Sequence, residues 1–307
     1  MTSPRVLVTV GDPGGTGPEI VAKLLEDKKL LKSHEITVLG PRRCVAKIPS
    51  GVQWDDVDLA SLAFHRRPHP DNGRVTMLEL EEACRRMREG AADVLVTGPA
   101  SKEPIRRCGV PFTGHTEYLG RVFQSTPYMV FLTGKMVVAL FTTHLPLSEV
   151  AGAITREKLA GYIEGLSGAW AKQFKKKPRF LVAGLNPHAG EGGLAGTEER
   201  DVIEPAVAEL AGRGIEVLGP IPADSLFLRA PAKGEDLIAV ALYHDQGMIP
   251  AKLMSSGYAV NCTLGLPFLR TSPDHGPAFD IAGSGKADTE SFRRAITEGA
   301  ALWKRAR

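Results

Sequence analysis

Short apolar, β-branched runs alternate along the chain with stretches that repeat at helical spacing. The runs lie at 5–10, 36–39, 94–97, 128–133, 136–142, 179–184, 215–218, 237–243 and 258–263. Between them, spacing predicts helices near 18–32, 75–89, 156–173, 198–212 and 288–304. This order predicts an α/β protein built on parallel sheet with helices on both faces. No repeat of 20–50 residues is visible. A Lys-rich stretch at 172–178 closes a helix and stops at Pro178, where cations suit the C-terminal dipole, so it reads as a solvated helix end.

In open α/β sheets chemistry collects at the carboxyl ends of strands. The first run leads into Gly11-Asp12-Pro13-Gly14-Gly15-Thr16-Gly17-Pro18-Glu19, with Pro18 suited to the first helical position and Glu19 to the positive end of the helix dipole. The loop lacks the Lys-Ser/Thr pair of a P-loop and the third glycine of a dinucleotide fingerprint, and the next strand ends in Gly40-Pro41-Arg42-Arg43 rather than an acid. By itself it reads as a tight structural turn before it reads as a ligand loop. Arg42 and Arg43 would favour a 2′-phosphate only if their loop reached an adenosine.

Three histidines follow strand-like runs directly: His144, His188 and His244, the last beside Asp245. If those strands are parallel neighbours, the imidazoles emerge at one edge. Three neutral imidazoles with an open position make a catalytic divalent-metal site; three separately bonded loop histidines are the alternative. His115, in Phe112-Thr113-Gly114-His115-Thr116-Glu117, precedes a helix expected to begin near Thr116. It faces either an anion at that helix start or solvent beside a capping box. His275 reads as a loop hydrogen-bond partner or a cleft residue, and His34, His65 and His69 as surface. Lys252, Asn261 and Arg270 recur in an apolar, glycine-rich stretch, where two cations and an amide would suit a small phosphorylated, carboxylated substrate.

Composition narrows the partners. The chain has 307 residues and a net charge of +3, with no strong field toward nucleic acid or an anionic membrane. Aromatics at 6 % supply no stacking platform for single strands. The four cysteines form no C-x-x-C pair, which fits a reducing cytoplasm, and no run is long enough to span a bilayer. The segment Met1-Thr2-Ser3-Pro4-Arg5 leads into a strand rather than a signal-type apolar region. Gly (33) and Pro (22) are abundant, and many sit in strand-end turns near the candidate ligands.

Nine blocks in order carry a family likeness: GDPGGTGPE at 11–19, TGPASK at 97–102, FTGHTEYLG at 112–120, TTHLPL at 142–147, NPHAGEGG at 186–193, GPIPADSLF at 219–227, YHDQGMIPAK at 243–252, VNCTLGLPFLRTSPDHG at 260–276 and AGSGKAD at 282–288. Over essentially its whole length the chain resembles the 4-hydroxythreonine-4-phosphate dehydrogenase family of pyridoxal phosphate biosynthesis, departing from its pattern at Gly14, usually Ala, and Thr16, usually Ile. The resemblance implies a two-domain fold like that of isocitrate and isopropylmalate dehydrogenases with the active site in the interdomain cleft. The first domain is expected over 1–122 plus 268–307. The second, over 123–267, is expected to carry the metal ligands and the dimer interface.

It further implies a homodimer and one divalent ion per active site (zinc, magnesium or cobalt) on His144, His188 and His244, two from one subunit and one from the other. Substrate contacts fall on His115, Thr116, Lys252, Asn261 and Arg270. The cofactor is NAD or NADP, held without a Rossmann fingerprint, with no cofactor contact assigned. The implied reaction oxidises 4-phosphooxy-L-threonine at C3 and then loses its carboxylate, giving 3-amino-2-oxopropyl phosphate. No catalytic base is assigned, Asp245 and Lys102 being candidates. The rivals are a paralogous 4-phospho-D-threonate or phospho-erythronate dehydrogenase, a metal-dependent phosphohydrolase, and a metal-stapled dimer without turnover.

Overall fold

The computed structural model describes residues 3–307 apart from 46, 51, 58–60 and 233. Met1 and Thr2, which open the N-terminal segment discussed above, lie outside the described residues. In chain order the elements begin with β1 (Arg5–Thr9), α1 (Gly17–Leu24), α2 (Lys28–Ser33), β2 (Glu35–Gly40), β3 (Gln53–Asp56), α3 (Pro70–Arg88), β4 (Val94–Val96), α4 (Lys102–Arg107) and α5 (His115–Val122). There follow β5 (Tyr128–Leu132), β6 (Val137–Leu140), α6 (Leu147–Ala153), α7 (Arg156–Phe174), β7 (Arg179–Ala183), α8 (Glu204–Gly212), β8 (Val217–Ile221), α9 (Ala223–Leu226), β9 (Leu237–Ala241) and α10 (His244–Met254). The chain closes with β10 (Val260–Leu264), β11 (Leu269–Pro273) and α11 (Glu290–Arg305).

Two compact units divide the chain, one of residues 1–127 with 260–307 and one of 128–259. These boundaries sit five and eight residues from those expected. Strand β10 belongs with the first unit because it pairs antiparallel with β11, which in turn pairs parallel with β4. In the first unit the strand order is β3-β2-β1-β4-β11-β10; in the second it is β5-β6-β9-β7-β8.

The sheet is mixed, which corrects the expectation of parallel sheet. Strands β5 and β6 are antiparallel, as are β10 and β11. Their connections, 133–136 and 265–268, are far shorter than the dozen or so residues a parallel crossover needs. The helix expected over 18–32 is two: the Asp27 side chain accepts from the Lys29 and Leu30 amides and starts α2 afresh.

Each unit buries its own core. Leu7, Leu39, Leu80, Leu95, Phe112 and Leu119 pack together in the first, and Val138, Leu140, Leu181, Leu226, Ala239 and Met248 in the second. The 19-residue α3 buries Val75, Met77, Leu80, Ala83, Cys84 and Met87 and leaves its charges outward apart from the buried Glu79, the apolar stripe that fixes a helix on a sheet. Lys175 at the end of α7 adopts the left-handed conformation and its ammonium reaches back to the Lys172 carbonyl, a solvated helix end as expected.

Candidate functional site

The first glycine loop is tied down from several sides. A Cβ on Gly11, at φ +85°, would stand 2.4 Å from the Pro99 carbonyl oxygen. On Gly14 it would stand 1.8 Å from the His65 carbonyl oxygen, so the alanine usual in the family cannot fit this chain's backbone. Thr16, where the family has Ile, donates from both its amide and its hydroxyl to the Pro277 carbonyl (2.7 and 3.1 Å). Glu19 accepts the Gly285 and Ala287 amides while Lys23 donates to the carbonyls of the same two residues, clasping the 276–287 segment to α1.

Beneath the loop lie two buried carboxyls. Glu79 accepts the Gly11 amide at 2.7 Å and Asp12 the Gly14 amide at 2.9 Å, while Asp12 Oδ2 and Glu79 Oε1 have no hydrogen-bond partner. Burial pushes both groups up, Asp12 to about 6 and Glu79 well above the carboxylate range. Beside the loop a cavity of about 370 Å³ is bordered by Gly14, Pro18, Phe64, Arg66 and Gly283. Its aromatic ring, cation and glycine backbone are the kinds of surface a nucleotide uses. Arg42 and Arg43 are engaged locally: Arg42 donates to the Val45 carbonyl and Arg43 to that of Leu62, with its guanidinium over Phe64.

The first unit also assembles four of the five expected substrate contacts. Arg270 on β11 stands directly opposite Thr263 on β10, and Asn261, two residues earlier, stands opposite Ser272. Period-two alternation puts all four on one face. Arg270 is 3 % exposed. Nε and Nη2 donate to Thr97 Oγ1 at 3.2 and 2.6 Å, and Nη1 to Thr263 Oγ1 at 3.1 Å. Three of its five N–H donors are thus spent on neutral hydroxyls, and no carboxylate pairs with it among the described residues. A buried cation without a counter-ion is costly, and burial pulls its proton affinity down to about 10.

Around it, Thr116 Oγ1 lies 3.3 Å from Thr263 Oγ1, and Asn261 Oδ1 is a buried acceptor without a donor. His115 titrates at about 3, held down by burial and by the Arg270 charge, so its ring is neutral. The helix begins at His115 with Gly114 as its cap, which corrects the start near Thr116; Thr116 instead turns its hydroxyl to Thr263. Thr97 and Thr263 were not anticipated. Lys252 is exposed on α10 in the second unit.

The second unit carries the three histidines past the carboxyl ends of three neighbouring parallel strands, in the order β6-β9-β7. The β6–β9 ladder continues through Phe141 to Ala241 and Thr142 to Leu242, so His144 and His244 leave adjacent strands together, with ring centroids 6.0 Å apart. Gln246 staples the edge: its carbonyl accepts the Leu242 amide and its amide donates to Gly184 at the end of β7, both at 2.7 Å.

His188 sits in a run of left-handed backbone, with φ of 52°, 53°, 79°, 44° and 66° from His188 through Gly192. Three of those residues are not glycine, at about 1–2 kcal/mol each. Buried Glu199 imposes the entry, accepting the Leu185 and Asn186 amides at 2.7 Å while Asn186 donates back to it. The run presents His188 Nδ1 to Glu191 Oε1 at 2.6 Å, and His244 Nδ1 meets Asp245 Oδ1 at the same distance. Both pairs are exposed, where solvent screens an ion pair and leaves it contributing less than the strain.

A carboxylate on Nδ1 fixes that nitrogen as donor and leaves Nε2 as the lone-pair donor, the usual dress of a metal-binding imidazole. The donor set therefore fits a divalent ion. Within one chain, however, the only group among the described residues whose ligand atoms lie within 4.8 Å of one another is His65, His69 and Asp71. Those two rings stack at 3.5 Å and His69 Nδ1 accepts the Asp71 amide to cap α3, so they are partly buried structural groups rather than the surface residues expected. His275 accompanies the Gly276 carbonyl in an exposed loop.

The model of the family described as pyridoxal phosphate biosynthetic protein PdxA matches residues 21–298. A 4-hydroxythreonine-4-phosphate dehydrogenase from Acidithiobacillus ferrooxidans is 44 % identical, over 98 % of this chain and 97 % of its own. The crystal structure of 4-hydroxythreonine-4-phosphate dehydrogenase from Klebsiella pneumoniae superposes with a TM-score of 0.88 at 34 % identity, covering 98 % of both chains. A β-decarboxylating dehydrogenase from Thermococcus kodakarensis shares the fold, with a TM-score of 0.51 at 18 % identity over 98 % of this chain and 83 % of that one. The α/β architecture is thus that of the isocitrate and isopropylmalate dehydrogenase kind, and the chain belongs to the PdxA family of pyridoxal phosphate biosynthetic proteins.

Proposed function

We propose that this chain is a 4-hydroxythreonine-4-phosphate dehydrogenase, oxidising 4-phosphooxy-L-threonine at C3 with NAD or NADP and releasing its carboxylate to give 3-amino-2-oxopropyl phosphate. The observation that carries the reading is Arg270, a buried guanidinium with two unspent N–H donors and, among the described residues, no carboxylate paired with it. Two parallel donors on a fixed charge suit one bidentate grip on a phosphate or carboxylate. Neutral His115 and the Thr116 hydroxyl complete that pocket without adding charge, and the orphaned carbonyl of Asn261 accepts an N–H or O–H from the substrate. Lys252 offers a point charge to the other anionic end.

His144, His188 and His244 would hold the divalent ion, zinc, magnesium or cobalt. When bound, it supplies Lewis acidity for deprotonating the C3 hydroxyl and drawing electrons from the departing carboxylate. His188 and His244 keep Nδ1 on their carboxylates and turn Nε2 outward. The dinucleotide is assigned to the first unit, at the cavity beside the glycine loop.

A homodimer sharing the ion accounts for the distribution of apolar surface. Leu147, Leu194, Leu218, Leu228, Ile249 and Leu253 are 41 to 89 % exposed, and all belong to the unit with the histidines. Leu147 follows His144 by three residues, and Ile249 and Leu253 form one i,i+4 stripe on the helix that His244 begins. Such surface marks an interaction site.

Absorbance of reduced nicotinamide tests the reading. Turnover of 4-phosphooxy-L-threonine, abolished by chelator and restored by a divalent ion, is expected. Preference for 4-phospho-D-threonate, phosphate release without reduced cofactor, or no turnover would each replace it by the corresponding rival.

A further inference from the structure

Glu191 enters the reading above only as the carboxylate on His188 Nδ1, yet the left-handed turn at 188–192 places it with care. Such a turn closes in about three residues, so positions i and i+3 stand on one edge, and here those positions are His188 and Glu191. The contact between Nδ1 and Oε1 is 2.6 Å. Right-handed backbone at the same residues would be unstrained, and the exposed ion pair does not offset the difference. Strain that local stability does not account for marks a geometry kept for function.

We propose that Glu191 is a positioning residue for His188: it holds Nδ1 as the N–H nitrogen and aims Nε2 at the divalent ion. Asp245 meets His244 in the same manner, so two of the three imidazoles present the same nitrogen. The inference rests on the assignment of these histidines as metal ligands.

Metal-free parent, Glu191→Gly, Glu191→Gln and His188→Ala chains are titrated with Co²⁺ against a chromophoric chelator, and the imidazole tautomers are read by ¹⁵N NMR before metal is added. Glycine adopts the φ of 44° at this position without strain, so the Gly variant keeps the turn while losing the carboxylate. Its affinity is expected to fall about 10–100-fold, with His188 passing to mixed tautomers. Glutamine retains a carbonyl acceptor for Nδ1–H and is expected to stay within about threefold of the parent. Parent-like affinity and tautomer in the Gly variant, with metal binding lost in His188→Ala, would overturn the positioning role alone, as would a Gln variant as weak as the Gly variant. Parent-like affinity in His188→Ala would overturn the metal assignment beneath it.

Discussion

Replacing Arg270 by methionine separates what the residue does for binding from what it does for folding. The guanidinium has two N–H donors left after Thr97 and Thr263 are served. Each charge-assisted bond to an anion contributes about 1.5–3 kcal/mol, so losing both costs about 3–6 kcal/mol, roughly 10²–10⁴ in KM or Kd for the phosphorylated substrate. The fold is expected to survive. With its proton affinity lowered to about 10, the buried cation carries a penalty of about 3 kcal/mol that is constant from acid to about pH 10 and is relieved only above it, because both states are protonated below. Methionine removes that penalty and leaves the two threonine hydroxyls without their donor, at about 1–3 kcal/mol each. These terms nearly cancel, so Tm should move by no more than about 5 °C. Calorimetric titration with 4-phosphooxy-L-threonine and steady-state kinetics at pH 7.5 read the first effect, and thermal unfolding reads the second. A folded variant with KM and Kd within threefold of the parent would refute the anion grip.

Asp12→Asn should stabilise the protein in a pH-dependent way. Below about pH 4 the carboxyl is protonated whether folded or not; between 4 and 6 the unfolded chain ionises first and stability falls, levelling above 6. The gain in urea-unfolding free energy should therefore grow from near zero at pH 4 to about 3 kcal/mol at pH 7.5, and a pH-independent difference would contradict the burial argument. His244→Ala should fold but carry substoichiometric metal by elemental analysis and lack activity; full metal content would remove His244 from the ligand set. Ile249→Asp combined with Leu253→Asp puts two charges on the exposed stripe of α10, and light scattering should find a monomer without turnover where the parent is a dimer.

The alternating pattern carried most of the architecture because the central strands are nearly pure Val, Leu, Ile and Ala, as in Val94–Val96 and Leu237–Ala241. It missed β3, whose residues Gln53–Asp56 are polar but for Trp54, and β11, whose Arg270 and Thr271 are buried because their side chains bond within the protein rather than because they are apolar. Strand direction does not show in periodicity at all. It does show in connection length: Thr133-Gly134-Lys135-Met136 closes a turn with three bonds on the Thr133 hydroxyl, too short for anything but an antiparallel return.

The site divides along the same line between what is local and what only the sheet order brings together. His144, His188 and His244 could be picked out because each closes an apolar run, a property of a few adjacent residues, and the neighbouring places of β6, β9 and β7 give those positions a common edge. Thr97 could not be picked out in this way, since it serves Arg270 across 173 residues and is only one of many threonines until β4 and β11 are known to be partners. Glu191 was hidden for another reason. In right-handed backbone a residue three positions from a histidine is an ordinary helix neighbour, and the segment Pro187–Gly193 with its three glycines reads as loop; only the sign of φ at His188, Ala189 and Glu191 shows that the chain holds a turn of the costly hand there. Sequence thus names ligands where the chemistry is written into one residue type, and leaves unnamed the groups whose part depends on where the backbone has been forced to go.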